Sequence, residues 1–377
     1  MQRGTSQVSI SSAGVRRLLP RAVLAALILG WAVGVFALAF TPKGTGGDLA
    51  AVYFAAHFVE TGRHDLVYAH DPERFHLVGS PEWDEAAEAR GHPVSNARHP
   101  YVQPPLWATL LAPMTARLSF PEAHALFLAL ELACLAGAAL LARRLWYPET
   151  PPEKGVPAAL LLLTLSWPFV LSMLLAQTQP VVTLLVLRAL ERNAAGRQGA
   201  AGLCLGTAAA LKISPAALAL FWLVTGRWRG VGVAVLTGAA WLALMLAVVE
   251  PVLLSEFLAR LRDMSGITVF GRENASLHAF LSWMALGGVE PFVVRAAPAW
   301  LGPATALAFL GLCLWQGRRW RQGPSPWRER AATAPVLFGL LVLTPLAWVH
   351  YFTALLLYLP ALVLLRGKLA GTALITA

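Results

Sequence analysis

The sequence predicts an all-α polytopic membrane protein, on three observations. Of its 377 residues 57% are hydrophobic and only 13% charged, too apolar a balance for a typical water-soluble domain. Uncharged runs of spanning length recur: a bilayer core of about 30 Å takes about 20 helical residues, and Ala22 to Phe40 supplies 19. Lys and Arg form short clusters between these runs, as positive-inside sorting requires. They do not form one stripe, so the net charge of +10 does not read as a nucleic-acid surface.

In chain order, residues 1–21 form a basic cytoplasmic segment and 22–377 a single transmembrane domain. The first run exceeds the roughly 7 to 15 residues of a signal-peptide core. Ala37-Leu38-Ala39 resembles a cleavage site but is read as helix. Further spans are expected at Ala123 to Ala142, Pro157 to Ala176, Pro180 to Leu190, Gln198 to Leu211, Ile213 to Thr225, Val231 to Val249, Ala299 to Gln316, Ala334 to Trp348 and Phe352 to Leu365. With the first, these make about ten transmembrane or half-spanning helices. The uncharged run Gly155 to Leu187 is too long for one span, and Gln177 to Pro180 breaks it.

With both termini cytoplasmic, 19 of the 30 Lys and Arg face inward and 15 of the 20 acids outward. Two large loops then lie outside, 41–122 and 250–298, and all nine histidines fall on or near that side. In the first loop, Leu49 to Val59 and Pro104 to Met114 read as helices at the membrane interface. Gly62 to His99 is polar, acidic and rich in turn formers, and reads as an exposed excursion. Cys134, Cys204 and Cys313 lie in apolar segments and read as packing residues rather than a disulfide framework.

Five stretches carry candidate chemistry. Asp48, in "GGDLAAVYFAA", reads as a helix N-cap, and a carboxylate so fixed is held as a general base must be. Lys212 interrupts 29 otherwise uncharged residues, and is either a snorkelling lysine or a functional cation. "AWVHYF" places Trp348, His350 and Tyr351 at an outward-facing end. A phosphate site accounts for the histidine, and an interfacial aromatic belt accounts for the aromatics. Gln177 and Gln179, in "LLAQTQPVV", either satisfy freed backbone groups or hold sugar hydroxyls. "GRENASLHAFL" brings Arg272, Asn274, Ser276 and His278. The histidines show no zinc-ligand spacing and no paired acidic motif is present, so no metal is predicted.

In this order, the motifs resemble the GT-C superfamily of polyprenol-phosphate-sugar-dependent glycosyltransferases. The closest likeness is to glycosyltransferase family 87, mannosyltransferases with a DUF2029 domain. "GGDLAAVYFAA" followed by "ETGRHDLVY" resembles the family's acid, helix, then Gly-and-Tyr segment, and places its catalytic acid on Asp48. "YVQPPLWATLLAPM" is similar to its Tyr and Pro-Pro segment at Tyr101, Pro104 and Pro105. "LKISP" matches its Lys-x-x-Pro element at Lys212 and Pro215, "NASL" its Asn-x-Ser-Leu at Asn274 and Ser276, and "LAWVHY" its Trp-x-His at Trp348 and His350. The sequence departs at Ala176, where the family usually has Gly, at Gln179, where Asn is common, and at Tyr351, where a second His often sits.

The resemblance implies a GT-C-like fold and inverting transfer of a sugar, with mannose the implied one, from a polyprenyl-phosphate donor to a hydroxyl of a glycolipid, glycan or other acceptor. The implied site is the extracytoplasmic side of the cytoplasmic membrane. Asp48 would be the base, and Lys212, His350 and Arg272 would bind the donor phosphate. Tyr53, Tyr101, Gln177, Gln179, Asn274, Ser276, His278, Trp348 and Tyr351 would surround the substrates. No cofactor is implied, and the partners are donor, acceptor and membrane lipids, with no nucleic acid. The rival reading is a secondary transporter or a flippase for lipid-linked glycans, with Lys212 and Glu131 as sites near the bilayer midplane.

Overall fold

The computed structural model describes residues 12–40, 46–70, 78, 80–92, 99–265, 267–270, 273–285, 293–321 and 326–362. The first apolar run forms α1 (Ser12–Ala39). The first loop contains α2 (Gly47–Glu60), α3 (Pro81–Ala89) and α4 (Pro105–Thr115). They are followed by α5 (Phe120–Trp146), α6 (Pro152–Thr164), α7 (Trp167–Leu175), α8 (Gln179–Ala194), α9 (Gln198–Leu211), α10 (Leu218–Val224), α11 (Trp228–Val248) and α12 (Pro251–Ser265). Then come β1 (Ile267–Phe270), α13 (Leu277–Ala285), β2 (Val293–Ala296), α14 (Leu301–Arg321), α15 (Pro326–Leu343) and α16 (Thr353–Leu356).

Among the described residues three helices are long and apolar enough to cross a membrane, over Pro20–Ala39, Phe120–Trp146 and Trp228–Val248. A fourth is possible if α6 and α7 count as one span bent by 74°. The bend has a local cause: the Ser166 hydroxyl caps α7 by accepting from the Phe169 N–H at 3.3 Å, and Pro168 opens the new helix. The helices α8, α9 and α10 are shorter because the Gln177 to Pro180 bend and the Lys212 to Pro215 break cut this apolar stretch into pieces. The fold is also not wholly helical. β-branched residues in "ITVF" and "VVRA" form an antiparallel pair in the second loop, with Ile267 opposite Ala296.

Two apolar cores organise the chain. The larger joins α5, α6, α8, α9, α10, α14 and α15, around Leu135, Leu163, Leu187, Trp222 and Leu337. Within it α9 lies directly on α11. A Cβ built on Gly202 would stand 2.5 Å from the Gly230 carbonyl, and one on Gly206 would stand 2.6 Å from the Ala234 carbonyl. Two glycines four residues apart thus let two helix backbones touch, the small-residue packing that membrane helices use. The three cysteines are free and lie on α5, α9 and α14.

The second core is built by the first loop itself, and it corrects two expectations. Ten of the fourteen residues of α2 are buried, so this helix is an interior strut rather than one laid on a surface. The segment expected to be an exposed excursion contains α3, whose Trp83 is fully buried against Phe54 and Phe58 and donates its indole N–H to the Leu66 carbonyl at 3.0 Å. Burying that ring against aromatic neighbours offsets the cost of ordering an acidic segment. Residues 71–77, 79 and 93–98 of this stretch lie outside the described residues. Val249, just past the end of α11, and Leu253 and Phe257 of α12 close the core.

Candidate functional site

Asp48 is the second residue of α2, not its cap. The cap position is held by Gly46, at a φ of +100° that disfavours L side chains. The Gly46 N–H donates to the Leu174 carbonyl at 2.7 Å, which ties the start of α2 to the end of α7. Asp48 nevertheless lies in the first turn, where free backbone N–H groups favour a negative charge. Its carboxylate is part-exposed and meets His99, with Nδ1 to Oδ1 at 2.7 Å.

Lys212 terminates α9. Its Nζ donates to Gln179 Oε1 at 3.0 Å and stands 3.2 Å from the centre of the Tyr351 ring. The hydrogen bond and the cation–π contact compensate a cation partly withdrawn from solvent, and an ammonium with three donors keeps capacity for an anion. His350 lies in the 3-10 turn Val349–Phe352, is 2% exposed, and has no hydrogen-bond partner on either ring nitrogen among the described residues. The Tyr351 ring meets it edge to face at 4.7 Å. Asp48 lies within electrostatic reach of Lys212, His350 and Tyr351, and Lys212 within reach of His350. Three groups distant in sequence thus lie within electrostatic range of one another.

Gln179 opens α8 after a tight bend in which Ala176 adopts φ +50° and ψ +68°. This is the only left-handed non-glycine among the described residues, and it falls where the resemblance expects glycine. The strain of about 1 kcal/mol or more is offset by the burial of its methyl group. Gln177 follows, buried, its N–H donating to the Ser172 carbonyl at 3.3 Å.

The remaining candidates separate. The Asn274 amide donates to the Val269 carbonyl at 2.9 Å and accepts from the N–H groups of Ser276 and Ala347 at 3.2 and 3.1 Å. The Ser276 hydroxyl caps α13 by accepting from the Ala279 N–H at 3.0 Å, and donates to the Pro345 carbonyl at 3.1 Å. Together with a bridge between Asn274 and Trp348, these bonds fasten the second loop to the turn that presents His350. Both side chains therefore do positioning work. His278 is buried beside Thr268, at 3.3 Å, away from that cluster's contacts. Tyr53 and Tyr101 are not brought to the site: both are buried in the second core, donating to the carbonyls of Leu118 and Pro104, each at 2.6 Å. Arg272 lies outside the described residues.

His99 is the site residue that sequence reasoning missed. The clustering of histidines on one side was visible, but no spacing rule connects His99 with a residue 51 positions earlier. Gly47 makes the contact possible, since a Cβ there would stand 3.2 Å from His99 Nε2. Among the described residues no group of three or more His, Cys, Asp or Glu comes together as a metal site.

An open groove adjoins Lys212. Val182, Val186, Leu337, Leu340 and Leu341 supply apolar walls, and Gln179 and Tyr351, the two partners of Lys212 Nζ, line it as well. It holds about 400 Å³ of empty space, counting the solvent at its mouth.

No curated protein and no solved structure matches the chain. The model of glycosyltransferase family 87 matches residues 101–344, a span that includes Gln177, Gln179, Lys212, Asn274 and Ser276 but not Asp48, His99 or His350. With more than half of its length matched, and with helices long and apolar enough to cross a membrane, the chain belongs to glycosyltransferase family 87 and is a membrane-embedded glycosyltransferase.

Proposed function

We propose that the protein transfers a sugar, with inversion, from a polyprenyl-phosphate donor to an acceptor hydroxyl on the extracytoplasmic face of the cytoplasmic membrane, with mannose the first sugar to test. The observation that supports this reading is the meeting of Asp48, Lys212 and His350 beside an apolar groove. The apolar walls suit part of a lipid chain, whose phosphate would then lie near Lys212. Asp48 takes the acceptor proton as the hydroxyl oxygen attacks the anomeric carbon, a role worth about 10² to 10⁴ in rate. The bond from that carbon to the phosphate oxygen breaks, and its electron pair leaves on the phosphate. Lys212 Nζ and a His350 ring N–H stabilise the charge that develops there.

The test is transfer from radiolabelled polyprenyl-phosphate mannose in membranes carrying wild type, Asp48→Asn, Lys212→Met or His350→Ala. Each variant should lose about 10²-fold or more in turnover. Full turnover by Asp48→Asn with every donor that wild type accepts removes Asp48 from the base role. Sidedness is read by labelling Thr61→Cys, at the exposed end of α2, with an impermeant thiol reagent in intact cells. Protection of that thiol by the intact membrane overturns the orientation.

A further inference from the structure

The pair formed by His99 and Asp48 is chemically one-directional. An ionised carboxylate only accepts hydrogen bonds, so the 2.7 Å contact requires a proton on His99 Nδ1 and occupies Asp48 Oδ1. The imidazole side chain is 46% exposed and the carboxylate 29%, so both remain within reach of a second molecule. The ring rests against the bare Cα of Gly47, where a Cβ would stand 3.2 Å from Nε2 and 3.3 Å from Cδ2. A side chain at 47 would therefore press on the ring that holds the carboxylate.

We propose that His99 is a positioning residue for Asp48, donating from Nδ1 to Oδ1 in its neutral form so that Oδ2 is the oxygen offered to the acceptor hydroxyl. The proposal rests on the reading of Asp48 as the base. It follows the general pattern in which a catalytic base is oriented by a third group. Among the described residues, the ionisable groups that act on His99 are Asp48, through the hydrogen bond and its charge, and Glu273, through its charge. Burial of the ring favours its neutral form, but the two carboxylates outweigh burial and hold its pKa above the ordinary histidine value. A neutral His99 donates from Nδ1 and leaves the carboxylate's charge available for the acceptor proton, so transfer falls on the acid side as His99 takes up its second proton.

Two measurements test this on the full-length protein in detergent. The first is a 15N-imidazole NMR titration of His99 in wild type and Asp48→Asn. The ring should titrate above the ordinary value in wild type and lower once the carboxylate is gone, whereas identical titrations overturn the pairing whatever the substrate. The second is the pH profile of kcat/KM for polyprenyl-phosphate mannose in His99→Ala and His99→Gln, with Asp48→Asn alongside. His99→Ala should lose about 10- to 100-fold in kcat with donor KM unchanged, as expected for a displaced reactive group. His99→Gln, whose amide still donates, should recover much of that loss and move the acid limb to lower pH. An unchanged acid limb in His99→Gln, or full kcat in His99→Ala, overturns the positioning role. If those results coincide with an inactive Asp48→Asn, the base reading stands and only the role of His99 fails. An active Asp48→Asn overturns both.

Discussion

Replacing Gly206 with Ala tests whether the contact between α9 and α11 sets the position of Lys212. A Cβ at 206 would lie 2.6 Å from both the Ala234 carbonyl oxygen and Thr237 Cβ. Ordinary contact begins at 3.4 Å, so the helices must part by 3.4 − 2.6 = 0.8 Å at this point. Neither opposing atom is the end of a flexible side chain, so no rotamer change relieves the clash. Overpacking of this kind costs about 1 to 3 kcal/mol, and the better helix propensity of Ala returns about 1 kcal/mol. The net effect is a loss of about 2 kcal/mol at the rigid end of that range. Gly238, on α11 with open space around it, is the matched control, and Gly238→Ala should stabilise by about 0.5 to 1 kcal/mol. Thermal and denaturant unfolding in detergent measures both. Because Lys212 caps α9 six residues beyond Gly206, kcat should fall in Gly206→Ala, by up to about 10²-fold for a displacement near 1 Å. A Gly206→Ala protein as stable as Gly238→Ala, with wild-type kcat, refutes the packing argument.

Three further outcomes are expected. Ser214→Trp should fill the groove from its partly exposed lip; losing burial of two methylenes, about 1.6 kcal/mol, raises KM for a long-chain donor about tenfold. A short-chain donor analogue should be unaffected, and equal effects on both would sink the groove as a lipid site. Glu131→Gln, at a fully buried position on α5, should leave transfer unchanged; abolished transfer would shift the chemistry toward mid-helix, as the transporter reading requires. The raised pKa of His99 makes its pairing with Asp48 a stabilising contribution that is fully present below the ordinary histidine pKa and lost as pH rises through the raised value. The melting-temperature gap between wild type and His99→Gln should therefore shrink from acid to alkaline pH, and a gap independent of pH contradicts the assignment.

Local signals were legible in the sequence. The α9 boundaries match the expected Gln198 to Leu211 span because Gly196 and Lys212 bound an unbroken apolar run. The helix beginning near Asp48 and the break around Pro215 follow from glycine and proline. What failed was burial. The resemblance implied that Tyr53 and Tyr101 face the substrates, yet the first loop builds its own core around them. Trp83 sits among acidic residues, and only the aromatic rings of α2 explain its burial. The Gly202 and Gly206 pair was present in the sequence, but its partner helix could not be read from spacing alone.

By itself the sequence determined the membrane-embedded helical character, the family's motif order and the residue types able to hold a base and a phosphate. These depend on composition and on neighbours a few positions apart. Tertiary structure alone decided which of them meet: Asp48 with His99, Lys212 with Gln179 and Tyr351, and Asn274 with the segment before His350. Those contacts join segments 33 to 139 residues apart. Their geometry is set by how two cores pack against each other, which no local pattern encodes.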